Sequence, residues 1–170
     1  MPGGGRDEAY LEFANARSGQ LFRSACLLTG GDTYLAEDLT QETLGRMYAL
    51  WGRIERIDNP AAYAQTVLVR TFLTQRRRRA AMERPVGELP EGEGVVGPDA
   101  ELRVTLLQAL GRLTPKDRAV IVLRYWEDRS IEETAGTLRV SSAAVRTRSV
   151  RALAKLREQL GGSLVELTSG

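Results

Sequence analysis

Cationic side chains dominate the segment from Arg139 to Arg157, which contains no acidic residue. Arg146, Arg148 and Arg151 are predicted to lie on the exposed face of a helix within this segment. Charges of one sign along one helix are what contact with nucleic-acid phosphates requires, so this segment is a candidate phosphate-binding surface. The alternative is a solvated basic face on an ordinary helical domain, and charge alone does not separate the two.

The elements that would position these cations are two short amphipathic helices. Residues at helical spacing predict one buried face on each helix. These residues are Ile131, Thr134, Ala135 and Leu138 in the first helix, and Val145, Ser149, Ala152 and Leu156 in the second. Ser130 with Glu133 forms a capping box, and Ser141 is placed to cap the second helix. The pattern predicts a DNA-binding helix-turn-helix over Ser130–Arg157, with its second helix in a major groove. Arg139 occupies the turn, where a left-handed conformation would cost about 1 kcal/mol.

A second candidate surface is an acidic stripe in the segment AEDLTQETL. Asp38, Gln41, Glu42 and Gly45 fall on one face of a predicted helix, opposite Leu39. Such a stripe suits docking of a basic partner. A solvated acidic face is the alternative. A carboxylate metal site lacks support because the chain has no histidine and no second carboxylate cluster.

A third candidate surface combines aromatic and cationic residues on one predicted helix. Tyr63 and Phe72 alternate with Arg70, Gln75 and the run Arg76–Arg79. Aromatic rings stack on bases while arginines neutralise the backbone, so the pattern favours single-stranded nucleic acid. The alternative places both rings in the core and the arginines at a solvated helix end, where the helix dipole favours cations.

Composition excludes several classes of protein. The absence of histidine removes the commonest general base and zinc ligand, and no phosphate loop or catalytic triad is present, so we expect no enzyme activity, no metal and no cofactor. Cys26 is the single cysteine, which excludes an intrachain disulfide. The N-terminus lacks the apolar stretch of a signal peptide, and the longest apolar run, Ala119–Leu123, is too short to span a bilayer. We expect a soluble, cytoplasmic protein that does not associate with membranes.

Helix signals dominate the rest of the chain, and strand signals are nearly absent. The patterns predict a first helix over residues 7–29, a second from an Asp32 cap to about Leu50, a loop over residues 52–59, and a third from an Asn59-Pro60 start through Arg79. Prolines, glycines and acids then predict a flexible acidic linker over residues 81–99, which reaches about 65 Å when fully extended.

A second helical unit follows the linker. Leu102, Leu106, Ala109 and Leu113 mark its first helix, and Thr114-Pro115 starts the next, with a buried stripe predicted for Ala119, Val122, Leu123 and Trp126. The fold class is therefore all-α: two small helical modules joined by a flexible linker, the second ending in the helix-turn-helix.

With both modules in view, the chain resembles the bacterial RNA polymerase sigma factors of the extracytoplasmic-function (ECF) group. AEDLTQETL looks like that family's polymerase-docking motif, and NPAAYAQTVLVRTFLTQRRRR looks like its −10 helix. The stretch from Leu110 to Arg157 looks like the region that reads the −35 element. The arginine run makes the likeness closest to an actinobacterial, SigE-like subgroup. The resemblance implies a region 2-like module over 7–80 and a region 4-like module over 100–161.

The resemblance also implies the partners. They are core RNA polymerase, through its β′ coiled coil and its β subunit, and promoter DNA, both duplex and melted. An anti-sigma factor is a further candidate, and its docking surface would overlap the surfaces named above. The implied function is recognition of −35 and −10 promoter elements and promotion of promoter melting.

Carried over residue by residue, the resemblance gives three site sets. The core polymerase-binding set is Asp38, Leu39, Gln41 and Glu42. The −10 DNA-binding set is Asn59, Tyr63, Arg70, Gln75, Arg76 and Arg77, and the loop Gly52–Asn59 would hold a flipped base. The −35 DNA-binding set is Ser142, Arg146, Thr147, Arg148 and Arg151. Many family members have Asn in place of Arg70 and Asp in place of Thr74, so the −10 base preference does not transfer.

Two other functions stay open at this point. One is a stand-alone helix-turn-helix transcriptional regulator that binds duplex DNA without polymerase. The other is an interaction module that occupies polymerase without promoting transcription.

Overall fold

The computed structural model describes residues 4–82 and 98–168, and it is helical through both ranges with no strand in either. The helices are α1 Gly4–Leu28, α2 Thr33–Ala49, α3 Trp51–Ile54, α4 Pro60–Ala81, α5 Pro98–Gly111, α6 Pro115–Ile121, α7 Ile131–Leu138 and α8 Ser142–Thr168. The all-α class is confirmed. In these two ranges no helix is both long and apolar enough to cross a membrane.

The first module consists of α1, α2 and α4 around an apolar core. Asp32 caps α2 by accepting a hydrogen bond from the Leu35 amide at 3.1 Å, as predicted. Asn59 caps α4 by accepting from the Ala62 amide at 3.0 Å, with Pro60 in the first turn, also as predicted. These local signals therefore fix where the two candidate-site helices begin.

The predicted loop over residues 52–59 is corrected in its first half. Trp51–Ile54 form the short helix α3, because Trp51 and Ile54, 4 % and 2 % exposed, both bury in the first core. The amides of Arg53 and Ile54 donate to the Leu50 carbonyl, which continues the chain from α2 almost without a break. Only residues 55–59 remain as a connecting turn before α4.

The second module starts with α5 and α6, and Thr114 caps α6 by accepting from the Asp117 amide at 3.2 Å. A π-helical stretch, Val122–Trp126, follows α6. The prediction of a buried Trp126 is wrong, since its side chain is 52 % exposed. The wider π turn, seen in the Glu127 amide donating to the Val122 carbonyl, moves Trp126 off the 3.6-residue stripe.

The helix-turn-helix forms as predicted from its caps. Ser130 accepts from the Glu133 amide at 3.0 Å while the Glu133 carboxylate accepts from the Ser130 amide at 3.4 Å, which completes the capping box. Ser141 accepts from the Ala144 amide at the start of α8. Arg139 adopts the left-handed conformation with φ 57°, so the turn carries the predicted strain.

The two modules pack on one another instead of standing apart. Ala119, Val122 and Leu123 of the second module are fully buried in the same core as Leu68 and Phe72 of α4. The predicted flexible linker lies almost entirely outside the described residues, of which α4 reaches Ala81 and α5 begins at Pro98.

Candidate nucleic-acid and protein interfaces

The outer face of α8 presents cations to solvent. The side chain of Arg146 is 60 % exposed and that of Arg151 is 54 % exposed. Thr147 is exposed between them, and its hydroxyl donates to the Ala143 carbonyl at 3.1 Å. Val150 adds an apolar group to the same face at 72 % exposure. Cations, a hydroxyl and an apolar group therefore lie together on the exposed face of α8.

The opposite side of α8 is anchored in the protein. Val145 and Ala152 are completely buried, and Ser149 lies beside them. The predicted −35 residue Arg148 is only 27 % exposed, and its guanidinium lies 3.0 Å from the buried carboxylate of Asp117. Arg148 therefore ties α8 to α6, whereas Arg146, Thr147 and Arg151 remain accessible. Ser142 is half-buried at the helix start.

The predicted −10 residues at the start of α4 have unequal accessibility. Asn59 is exposed but occupied as the helix cap. Tyr63 is half-buried and packs against the first core. Arg70 is half-buried because its Nε donates to the Thr137 carbonyl at 3.0 Å and its Nη2 to the Gly136 carbonyl at 3.2 Å.

The end of α4 carries the remaining predicted −10 residues. Gln75 donates to the Glu42 carboxylate at 2.5 Å, which joins α4 to α2. Arg76 is half-buried, and burial together with the neighbouring Arg79 charge lowers its pKa below the ordinary arginine value. Arg77 is exposed. The aromatic residue Phe72 is a core side chain, 2 % exposed, so it does not stack on bases in this conformation.

The acidic stripe of α2 is presented to solvent as the spacing predicts. Asp38, Gln41 and Gly45 are exposed, and Glu42 is half-buried between Gln75 and Arg46. Burial opposes ionisation of Glu42, but the Gln75 hydrogen bond and the Arg46 charge outweigh it and hold its pKa below the ordinary value. The resemblance placed Leu39 in the docking set, and the structure corrects this assignment. Leu39 is completely buried because it faces the core, opposite the stripe.

Three charged residues that join elements of the protein were not predicted as site residues. Asp117, 1 % exposed, gathers Arg148, Arg151 and Lys155 within 3.0–3.9 Å of its carboxylate. Arg118 donates to the carbonyls of Leu110, Leu28, Gly111 and Leu113, and burial, helped by the Arg76 charge, lowers its pKa to about 10. Arg129 bridges the two modules. Only Asp117 had a sequence signal, its place in the first turn of α6.

The described residues hold no group of three His, Cys, Asp or Glu side chains that could bind a metal ion. A polar cleft of about 370 Å³ lies between the modules, beside Asn59. Arg17 and Gln65 line it from the first module, and Glu127 and Glu133 from the second.

The chain matches two family models. Sigma-70 region 2 matches residues 16–82, and Sigma-70, region 4 matches residues 109–158. These ranges contain the acidic stripe with α4, and the helix-turn-helix, respectively.

Similar proteins lead to the same family. The RNA polymerase sigma-E factor of Streptomyces coelicolor is 39 % identical over 153 residues, which cover 89 % of this chain and 85 % of the relative. The ECF RNA polymerase sigma factor SigL of Mycobacterium tuberculosis is 33 % identical over 153 residues, covering 83 % and 84 %. The solved sigma factor RpoE of Bartonella quintana, in complex with the anti-sigma factor NepR, aligns with a TM-score of 0.70. It covers 91 % of this chain and 98 % of its own at 23 % identity, which shows a common fold.

The two family models match the chain in the order region 2 then region 4, and each curated relative is covered over most of its length. Both findings support the same conclusion. The chain belongs to the ECF group of RNA polymerase sigma factors.

Proposed function

We propose that this protein docks on core RNA polymerase in the cytoplasm, recognises −35 and −10 promoter elements, and promotes melting of the −10 region. It acts as a specificity factor and catalyses no reaction itself. The observation that carries the proposal is the exposed cationic face of α8 within a correctly capped helix-turn-helix, in a chain of this family. A stand-alone regulator would use the same helix, but it would have no need for the acidic stripe of α2.

The −35 element is read by the second module, residues 100–161. Arg146 and Arg151 contact phosphates and base edges, Ser142 and Thr147 supply hydroxyls, and Arg148 holds α8 in position through Asp117. Arginine is suited to this role because its fork of donors fits guanine edges and phosphates.

The −10 element is read by α4 of the first module, residues 7–80. Arg70, Arg76 and Arg77 neutralise the backbone of the melted strand, and Tyr63 and Gln75 contact its bases. Asn59 and the turn before it hold a base that has left the stack, an arrangement that lowers the cost of opening the duplex. Residues 81–99 connect the two readers.

The acidic stripe of α2 docks on the polymerase. Asp38 and Gln41 are exposed and Glu42 is half-buried beside them. Together they suit a basic surface, which we assign to the β′ coiled coil, while the second module contacts the β subunit. The Glu42–Gln75 hydrogen bond makes the docking helix and the −10 helix one rigid pair. Polymerase docking therefore orients α4 over the −10 strand. An anti-sigma factor that covers the stripe would block both events.

Charge reversal on the stripe tests the docking assignment. Asp38→Arg should reduce co-purification with core RNA polymerase at least about tenfold, because it places a like charge against a basic partner. Glu12→Arg, the same charge change at an exposed position of α1, is the matched control and should leave binding unchanged. Equal binding by both variants would remove α2 from the polymerase interface.

A further inference from the structure

Three cations of the recognition helix α8 form a stripe along one of its sides. Arg148, Arg151 and Lys155 lie three and four residues apart, so their side chains project next to one another. Arg148 is 27 % exposed, whereas the side chains of Arg151 and Lys155 are 54 % and 45 % exposed. The segment from Arg139 to Arg157 contains no acidic residue, so it supplies no counter-charge of its own to this stripe.

The counter-charge to the stripe comes from α6. Oδ1 of Asp117 lies 3.0 Å from the Arg148 guanidinium and 3.9 Å from that of Arg151. Oδ2 of the same carboxylate lies 3.8 Å from Nζ of Lys155. Asp117 is only 1 % exposed, and its amide donates to the Thr114 hydroxyl at 3.2 Å, which fixes the residue in the first turn of α6. One buried carboxylate therefore faces three cations.

The three contacts with the carboxylate differ in kind. The Arg148 contact is a hydrogen bond, donated by Nη1 to Oδ1, and it holds this side chain against the protein. The contacts of Arg151 and Lys155 are longer than a hydrogen bond, so they are ion pairs only. Because half-exposed ion pairs of this length contribute little stability, another anion can replace the carboxylate in them. Arg151 and Lys155 are therefore restrained by Asp117 but able to leave it.

The carboxylate of Asp117 acts differently on two modes of DNA binding. Sequence-independent binding depends almost wholly on cations that neutralise phosphates. Asp117 weakens this mode, because each cation that moves to a phosphate leaves a buried carboxylate with fewer partners. Sequence-specific binding also needs Arg146 and Thr147 to meet base edges in one orientation. Asp117 supports this second mode, because its hydrogen bond with Arg148 anchors α8 on α6.

We propose that Asp117 is a specificity-determining residue of the −35 reader, which acts as a positioning residue without touching DNA. Its carboxylate competes with DNA phosphates for Arg151 and Lys155 and keeps Arg148 as the anchor of α8. Binding to the correct element is thereby favoured over binding to random sequence, because specificity is the difference between the two affinities. Lys155 joins the −35 set as a phosphate contact. The proposal rests on the proposed function for the identity of the DNA element.

The test compares the binding of the full-length chain to two duplexes. One has a random sequence, and the other is the duplex that the native chain selects from a pool of random sequences. Fluorescence anisotropy at several salt concentrations gives the binding constants and the slope of their logarithm against the logarithm of the salt concentration. Asp117→Asn should strengthen binding to the random duplex about threefold to tenfold and steepen this slope by about 1, as expected for one additional phosphate contact. The ratio of specific to random affinity should fall about tenfold.

A merely structural role for Asp117 predicts a different result. Loss of a structural anchor alone would weaken binding to both duplexes, and an unchanged or shallower salt slope in Asp117→Asn would overturn the proposal. Glu101→Gln removes the same charge from an exposed position of α5 in the same module, and as the matched control it should leave the slope and the affinity ratio unchanged. Asp117→Glu keeps the charge and should retain the native slope.

A second set of variants leaves Asp117 in place, so it does not depend on the stability of Asp117→Asn. In the native chain, Lys155→Gln should change the salt slope by less than half as much as Arg146→Gln, because Asp117 restrains Lys155 whereas the partner of Arg146 is an exposed glutamate. In the Asp117→Asn background, where that chain is folded by circular dichroism, Lys155→Gln should change the slope by about 1. Equal slope changes from Lys155→Gln and Arg146→Gln in the native chain would also overturn the proposal.

These measurements use no polymerase, so they are independent of the transcription assay. A steeper slope in Asp117→Asn, from a factor that gives no polymerase-dependent transcript, would refute the proposed function and leave the role of Asp117 standing. An active factor whose salt slope is the same with Asp117 and with Asn at this position would do the reverse.

Discussion

The guanidinium of Arg148 lies 3.0 Å from the carboxylate of Asp117, which is itself only 1 % exposed. This pair links α6, next to the inter-module core, to the recognition helix α8. Arg148 turns inward to make it, whereas Arg146 faces solvent and the half-exposed Arg151 reaches the same carboxylate only at 3.9 Å. One buried carboxylate thus helps to fix the orientation of α8 against α6.

Asp117→Asn should lower the free energy of unfolding by about 2 kcal/mol. Removing one partner of a buried ion pair costs about 3–5 kcal/mol, and the partial exposure of Arg148 reduces that figure. Urea denaturation of the full chain measures it. Glu132→Gln, which removes the exposed partner of Arg146, should change stability by less than about 0.5 kcal/mol. Equal effects of the two substitutions would contradict the role given to Asp117.

Arg146→Ala should weaken binding to a duplex with the −35 element about tenfold to a hundredfold. It should also make the slope of the logarithm of the binding constant against the logarithm of the salt concentration shallower by about 1, as expected for the loss of one phosphate contact. Its exposed guanidinium contributes little to the fold, so stability should be unchanged. Arg148→Ala should show the opposite pattern, with lost stability and an unchanged salt slope. Fluorescence anisotropy at several salt concentrations, together with thermal melting, separates the two variants. The assignment fails if Arg148→Ala alone reduces the salt slope.

Gln75→Leu should raise the pKa of Glu42 towards its ordinary value of 4.5. In the native protein the pKa lies below that value, so ionised Glu42 stabilises the fold above pH 4.5, and this contribution is lost as the pH falls through the folded pKa. The variant should therefore lose less stability on acidification. A carbon-13 NMR titration of the Glu42 carboxyl measures the shift, with the exposed Gln41→Leu as control. A lower pKa in Gln75→Leu than in the native protein would contradict the assignment.

Arg139→Gly should stabilise the protein by about 0.5–1 kcal/mol. Arg139 sits at φ 57°, a conformation that costs a non-glycine residue about 1–2 kcal/mol. Glycine relieves this cost, but its greater conformational entropy in the unfolded chain offsets part of the gain in stability. Chemical denaturation provides the measurement. Arg139→Ala keeps the strained conformation with a side chain and should give no gain. If alanine stabilises as much as glycine, the strain is not at the backbone.

The elements of this fold were predictable where their signals are local. Asp32, Asn59, Thr114 and Ser130 each cap the helix that the sequence assigns to them, because a cap involves residues three positions apart. The strained turn at Arg139 was predictable for the same reason. The polar stripe of α2 followed from helical periodicity alone.

The contacts between distant segments were not predictable. Arg129 bonds to Ala62 and Arg118 to Leu28, across 67 and 90 residues, and no spacing rule connects such positions. The inward orientation of Arg148 was not predictable either, because its more exposed neighbours Arg146 and Arg151 are also arginines. Trp126 was mispredicted because a π turn changed the helical period, and Leu39 because a family motif includes residues that only support the surface.

The proposed role of the factor is to direct core RNA polymerase to promoters with two separated elements. Its most direct test is to combine the purified protein with core polymerase on genomic DNA and to sequence the 5′ ends of the transcripts. We predict discrete start sites preceded by two shared elements about two DNA turns apart, and their loss with Asp38→Arg but not with Glu12→Arg. Tight binding to a palindromic duplex without polymerase, and no discrete transcripts with it, would contradict the account.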